Sequence, residues 1–280
     1  MNPIQEVILI VQRELRKNFR SVKGIVLLIL SLLGGGAFAV INAILTRLKT
    51  REMGDVPEEQ FRMIREQGLT KFYDGDADMG RFLSDSPDIL WTVSLITIWL
   101  TPLLVAVLGY DGVSGEVQHR TVRFWTVRSR RTSYFMGKFF GLWLTVSGVT
   151  LVMHLLVWII STFGGVASAG TVFGWGLRYW MVSIPIAGAW SAIAVLIASQ
   201  FRTPMVSLLS ICIVFFVLFC LKLTGVWFES VPLTCVYPGT LDNFLLNPQM
   251  KRFAIGLAIA AGFIVTGAGA GSAIFAKRDV

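Results

Sequence analysis

Residues 110–138 read YDGVSGEVQHRTVRFWTVRSRRTSYFMGK. Six of these side chains are Arg or Lys, set against the carboxylates Asp111 and Glu116. On either side, residues 89–109 and 139–163 are long apolar runs. About 20 apolar residues in a helix cross a hydrocarbon core of about 30 Å. Each run is therefore a predicted span, and the insert joins them on one side of a membrane. Taken by composition alone, such a basic loop is what positive-inside bias produces.

The rest of the chain agrees. Its 280 residues are 54% hydrophobic and only 15% charged, and the mean hydropathy is +0.67, far more apolar than a soluble domain. The net charge of +8 would suggest nucleic acid in a soluble protein. Here the basic residues lie beside apolar runs, where orientation and anionic lipid account for them, so no nucleic-acid partner is expected. Cys212, Cys220 and Cys235 are an odd, scattered set without a CxxC, which gives neither a disulfide framework nor a zinc site.

The expected fold class is an all-α polytopic membrane protein forming one transmembrane domain over residues 1–280. Residues 1–23 carry Ile4, Val7, Ile8, Val11, Leu15 and Phe19 at helical spacing, with Arg13, Arg16, Lys17, Arg20 and Lys23 filling much of the remainder. They read as an amphipathic helix lying among lipid headgroups. Six spans follow, at 24–45, 89–109, 139–163, 179–199, 205–223 and 253–275. Ala37-Phe38-Ala39 mimics a signal cleavage site, but the leader and the apolar run are both too long, so the first run is expected to be a retained span. Gly34-Gly35-Gly36 within it either allow close approach of a neighbour or kink the helix.

Residues 46–88 form a polar outer loop, with a helical stretch from Pro57 to about Leu69. Its Asp74, Asp76 and Asp78 fail the calcium-loop pattern, because the sixth and twelfth positions are Met79 and Asp85, and they read as a solvated turn. No metal ligands are expected. Residues 164–178 form a Gly-rich connection, Pro185 a bend, and Lys222 a side chain snorkelling toward the outer surface. The segment 224–252 is too apolar for a free loop and is broken by Pro232, Pro238 and Pro248, so it reads as short re-entrant or interfacial outer helices before the last span. In that span Ala254, Ala258, Gly262, Thr266 and Ala270 repeat every fourth residue, a predicted packing face.

Fourteen of the Lys and Arg residues fall on the side of the two termini and eleven on the other, mostly in the long first loop. Both termini are therefore expected in the cytoplasm, with the protein in a bacterial cytoplasmic (inner) membrane. His154 is an ionisable group inside the third span and a candidate intramembrane functional residue. The plainer reading makes it a neutral histidine bonded to a neighbouring helix.

The order of residues within the insert adds more than its composition. Ser114-Gly115-Glu116 is followed by Thr121, then by the Arg-rich turn Arg128-Ser129-Arg130-Arg131, then by Gly137-Lys138 ahead of the third span. This resembles the inner loop of the ABC-2 family of ABC exporter membrane subunits. Where the family often has a basic residue and Gly before the Thr, this chain has His119 and Arg120. Where a Pro commonly opens the turn, it has Arg128. The six-span layout, the N-terminal helix and the apolar outer segment extend the resemblance over nearly the whole chain.

The resemblance implies a membrane-spanning exporter subunit whose insert seats in a separate cytoplasmic ABC ATPase subunit, present in two copies. It also implies a second copy of this chain, or a related permease. The coupling residues it implies are Ser114, Gly115, Glu116, Arg120, Thr121, Arg123, Phe124 and Trp125. Ser114 is expected to cap a helix running to about Trp125, and Glu116 to face the ATPase or bond back to arginines of its own loop. The chain has no GxxxxGK[ST], and Gly137-Lys138 is followed by Phe139. No catalytic residue or cofactor is therefore assigned to it, and ATP and Mg²⁺ are expected in the partner.

Three other classes would place different demands on the sequence. A secondary transporter working without ATP should place carboxylates in the membrane, and these six spans contain no Asp or Glu. An intramembrane zinc protease needs an HExxH, and the only histidines are His119 and His154. An ABC complex acting as a mechanical transmitter would use the 43 residues of the outer loop to meet an outer or periplasmic accessory protein. The largely apolar spans favour a hydrophobic or amphipathic cargo.

Overall fold

Asn2 starts the first helix, α1 (Pro3–Arg20). Its side chain accepts from the Ile4 amide while the Gln5 side chain accepts from the Asn2 amide, and Pro3 takes the first helical position, where a missing N–H costs nothing. At Ser21 the backbone turns extended. The Ser21 hydroxyl donates to the Asn18 carbonyl and accepts from the Gly24 amide, so one residue closes α1 and opens α2 (Val22–Glu52). The N-terminal helix is thus separate from the first span. The computed structural model describes residues 2–52 and 58–277; Pro57 and Arg278 lie outside the described residues.

The chain continues through α3 (Glu58–Phe72), α4 (Ala77–Ser84), α5 (Asp88–Gly109), α6 (Ser114–Gln118), α7 (Val122–Arg128), α8 (Arg131–Phe163), α9 (Ala169–Ala198) and α10 (Pro204–Trp227). After these come α11 (Val231–Cys235), a 3₁₀ turn at Pro238–Leu241, α12 (Asp242–Leu245) and α13 (Met250–Lys277). There are no strands among the described residues. Six helices, α2, α5, α8, α9, α10 and α13, are long and apolar enough to cross a membrane. Pro102 and Pro185 sit inside α5 and α9 without ending them.

α8 and α9 form the centre of the bundle. α5 and α13 pack on them, while α2 and α10 keep most of their surface outward. Trp190 of α9 is fully buried against Phe215 and Tyr237. α2 runs unbroken past its three glycines, and Gly35 meets Met153 of α8 so closely that a Cβ would clash, which favours the close-approach reading over a kink.

Several boundaries differ from the sequence reading. Residues 46–88 hold more helix than the one stretch expected up to about Leu69: α2 continues to Glu52, α3 runs from Glu58 to Phe72, and with α4 it forms a helical hairpin against the bundle. Arg65 fixes this hairpin through the Ser84 carbonyl and Asp88, and Tyr179 of α9 donates to Ser86. Asp74 and Gly75 adopt positive φ, and Asp76 caps α4 through the Met79 amide. Asp76 also binds Asn247 and Arg252, and Asp78 binds Gln249, so these carboxylates fasten the hairpin to the start of α13 rather than facing water as a free turn. α8 begins at Arg131, which puts Gly137-Lys138 two turns inside the helix, and α9 begins at Ala169, leaving a short connection. Lys222 lies over the rings of Trp99 and Tyr237. The small-residue stripe of α13 points outward. Gly256, Ala260, Gly267, Ala268 and Gly271 form its buried face instead.

Candidate functional site

The sequence-marked insert folds at the end of the bundle that holds both termini. There α1 lies along the first half of α8. The face it buries is a stripe of Glu6, Ile10 and Glu14, while Ile4, Ile8 and Leu9 stay exposed. Two glycines make the approach possible. A Cβ on Gly137 would meet Ile10 at 2.5 Å, and one on Gly141 would meet Glu14 at 2.6 Å. Gly137 of the motif is therefore the seat of α1.

Lys138 is 3% exposed. A buried ammonium is tolerated only when paired and hydrogen-bonded. It donates at 2.7 Å to Glu14 of α1 and at 2.7 Å to Glu116 of α6. The second Glu116 oxygen accepts from the Tyr134 hydroxyl at 2.8 Å. Arg13 stands 3.5 Å from Glu116, and its guanidinium stacks on the Trp125 ring of α7 at 4.1 Å. One connected set of charges thus joins α1, α6, α7 and α8. The Lys23–Asp111 pair and the Asn18–Thr145 hydrogen bond add ties at its edge.

Glu6 supplies a second joint. Its carboxylate accepts from the Arg130 amide at 3.1 Å, where the N-terminus of α8 has no side-chain cap of its own. This bond and the Ser133 hydroxyl favour the charged form and hold the Glu6 carboxyl below its ordinary value. Arg131 in turn donates to the Ala276 carbonyl, and Tyr134 stacks on Phe275, which draws in the end of α13.

The eight residues marked in the sequence divide into two groups. Ser114 and Glu116 are buried. Ser114 does not cap α6: it is the first helical residue, and its hydroxyl returns to the Tyr110 carbonyl. Glu116 faces neither outward nor toward the loop arginines; its partners are Lys138, Tyr134 and α1. A Cβ added at Gly115 would meet only ordinary contacts, with Asp111 and Pro204, and the Thr121 hydroxyl donates to the Glu116 carbonyl. Trp125 is half-buried under Arg13 instead of lying on the outer surface.

The second group points away from the bundle. Arg120 and Arg123 are exposed, Phe124 is 74% exposed, and Val127 beside them is 86% exposed. The single helix expected up to Trp125 is broken into α6 and α7 by Arg120, whose φ is +57°. That is the left-handed region, which a non-glycine residue enters at a cost. It is also the position at which the resembled pattern has Gly.

Two acidic residues of this site, Glu6 and Glu14, were missed in the sequence. An amphipathic reading sends acidic residues to the solvent face, and nothing local marks their partners, 124 residues away. His154 is buried in α8, remote from this junction. Its Nδ1 bonds the Thr150 carbonyl of its own helix at 2.9 Å, not a neighbouring helix. Among the described residues no group of three or more His, Cys, Asp or Glu is placed to hold a metal.

Comparison with curated proteins yields no match. Comparison with protein families matches residues 8–234, most of the chain and the junction apart from Glu6 and the end of α13, to the ABC-2 family transporter proteins. The chain belongs to that family: it is a multi-pass membrane permease component of ABC-type transport, whose partner is an ABC ATPase subunit.

Proposed function

We propose that the chain is the membrane-spanning subunit of an ATP-binding cassette exporter in the bacterial cytoplasmic membrane, with both termini cytoplasmic. Two copies, or this chain and a related permease, would pair with two ATPase subunits, which bind ATP and Mg²⁺. The outward patch of Arg120, Arg123, Phe124 and Val127 on and beside α7 is the contact for the ATPase. Its mixture of exposed apolar and basic side chains suits a protein interface.

The observation that carries this reading is the Glu116–Lys138–Glu14 connection. Glu116 sits one short turn from the patch, and Lys138 sits in a span. A push on α7 therefore reaches α8 through a buried ion cluster that resists being pulled apart, and carries α1 with it. Coupling needs such a rigid element with two positions. The apolar spans favour an amphipathic or hydrophobic cargo, moved as the spans reorient.

The test reverses charge at Arg120 and Arg123 together (Arg120→Glu, Arg123→Glu). These side chains are exposed, so folding and membrane insertion should survive. The expected outcome is loss of transport with ATP hydrolysis by the partner no longer responding to the permease. A double variant with assembly and coupling both unchanged would defeat the assignment.

A further inference from the structure

α9 and α13 leave a lateral cleft of about 550 Å³ between them, at the bundle end opposite the termini. Its walls are Met181 and Pro185 of α9 and Leu257, Ala261 and Ile264 of α13. Met181, Leu257 and Ala261 are exposed, so the cleft opens sideways, toward where the bilayer would lie, rather than into the bundle. At its upper end stand Asn247 and Arg178.

Arg178 is the unusual member. It is half-buried, donates to the Leu246 carbonyl at 3.2 Å and stacks on Phe82 at 4.3 Å. Among the described residues no carboxylate lies within ion-pair distance of it, whereas Arg62, Arg65, Arg81 and Arg252 of the same end each pair with one. The thirty residues of α9 measure about 45 Å, against a hydrocarbon core of about 30 Å. If α9 is centred, Arg178, nine residues from its start, lies about 6 Å inside the core boundary. A guanidinium at that depth reaches the phosphate level and gains from an anion there. Its fork geometry matches phosphate oxygens in pairs.

We propose that this cleft is a binding site for an anionic phospholipid of the leaflet on that side. The headgroup phosphate is held by Arg178, and one acyl chain lies along Met181, Pro185, Leu257 and Ala261. Charge complementarity selects the occupant: an apolar trough alone would take any chain, whereas the unpaired cation at the headgroup level asks for a negative head. The site is independent of the ATPase contact and of the direction of transport.

The chain is placed in bilayer discs of equal parts phosphatidylglycerol and phosphatidylcholine, and the lipid retained after mild detergent release is read by native mass spectrometry. The wild-type chain should keep phosphatidylglycerol over phosphatidylcholine by about fivefold, the worth of one basic side chain at an anionic surface. Arg178→Gln should flatten that preference while the neutral lipid is still retained. Ala261→Trp, which fills the trough without touching the charge, should lose both. Added glycerol phosphate should displace nothing. Equal retention of the two lipids by the wild-type chain, or an Ala261→Trp chain that keeps phosphatidylglycerol undiminished, overturns the proposal. So does displacement by glycerol phosphate, which would mark a soluble anion as the occupant.

Discussion

Lys138 is the residue on which the junction depends. It holds Glu14 and Glu116 at 2.7 Å each while almost wholly buried. Removing one partner of such a set leaves charge in a place that cannot solvate it, at a cost of about 3–5 kcal/mol. Lys138→Met should therefore lower the thermal midpoint of the detergent-solubilised protein sharply. Tyr134→Phe, which removes one hydrogen bond to a carboxylate, should cost about 1.5–3 kcal/mol. Arg120 works in the other direction. Its left-handed backbone costs roughly 1–2 kcal/mol that glycine avoids, so Arg120→Gly should raise the same midpoint slightly. Glu6 gives the junction a pH dependence. Its carboxyl is held below the ordinary value of 4.5, so its contribution is complete above that value and is lost as the pH falls through the lower folded value. A spin label at Ile4 should gain mobility as the pH falls from 4.5 through the lowered folded value, and in Glu6→Gln the label should be mobile at neutral pH already. At this scale the sequence marked Glu116 and Lys138 by their pattern. It hid Glu6 and Glu14, because both are acidic residues on a helix whose basic and apolar faces dominate the reading.

Between elements, the decisive contact is α1 on α8. Gly137 and Gly141 leave no room for a side chain, and any addition must lift α1. Gly141→Leu should cost about 1–3 kcal/mol by overpacking. It should also raise hydrogen exchange across residues 3–20 while leaving the core of α9 protected; unchanged exchange in α1 would mean that the two helices are not held as described. Apolar run length made the six long helices legible. The periodicity of α1 was legible too, but not the face it buries, because an apolar face can be left for lipid while charges are paired inside. The same limit applies to α13, whose four-residue stripe is real but faces outward. Of the α3–α4 hairpin, the helical stretch of α3 was legible; α4 and the docking of the pair stayed hidden, because α4 is short and the pair is fixed by contacts with distant residues, such as Arg252 and Tyr179.

Across the whole molecule, a bundle centred on α8 and α9 carries a collar of α1, α6 and α7 at the end of the termini. The collar is tied to the bundle by buried charge and offers an exposed patch of Arg123, Phe124 and Val127 beyond it. Family membership makes an ABC ATPase the partner, and the function proposed above seats that partner on the patch. A photoreactive benzoylphenylalanine at Phe124, with the same label at Met63 on the opposite end as a control, tests this in intact cells. Both positions are more than half exposed. The label at Phe124 should yield an adduct that mass spectrometry identifies as the ATPase subunit, and the label at Met63 should not. An ATPase adduct from Met63, or only lipid and self-adducts from Phe124, would contradict the account.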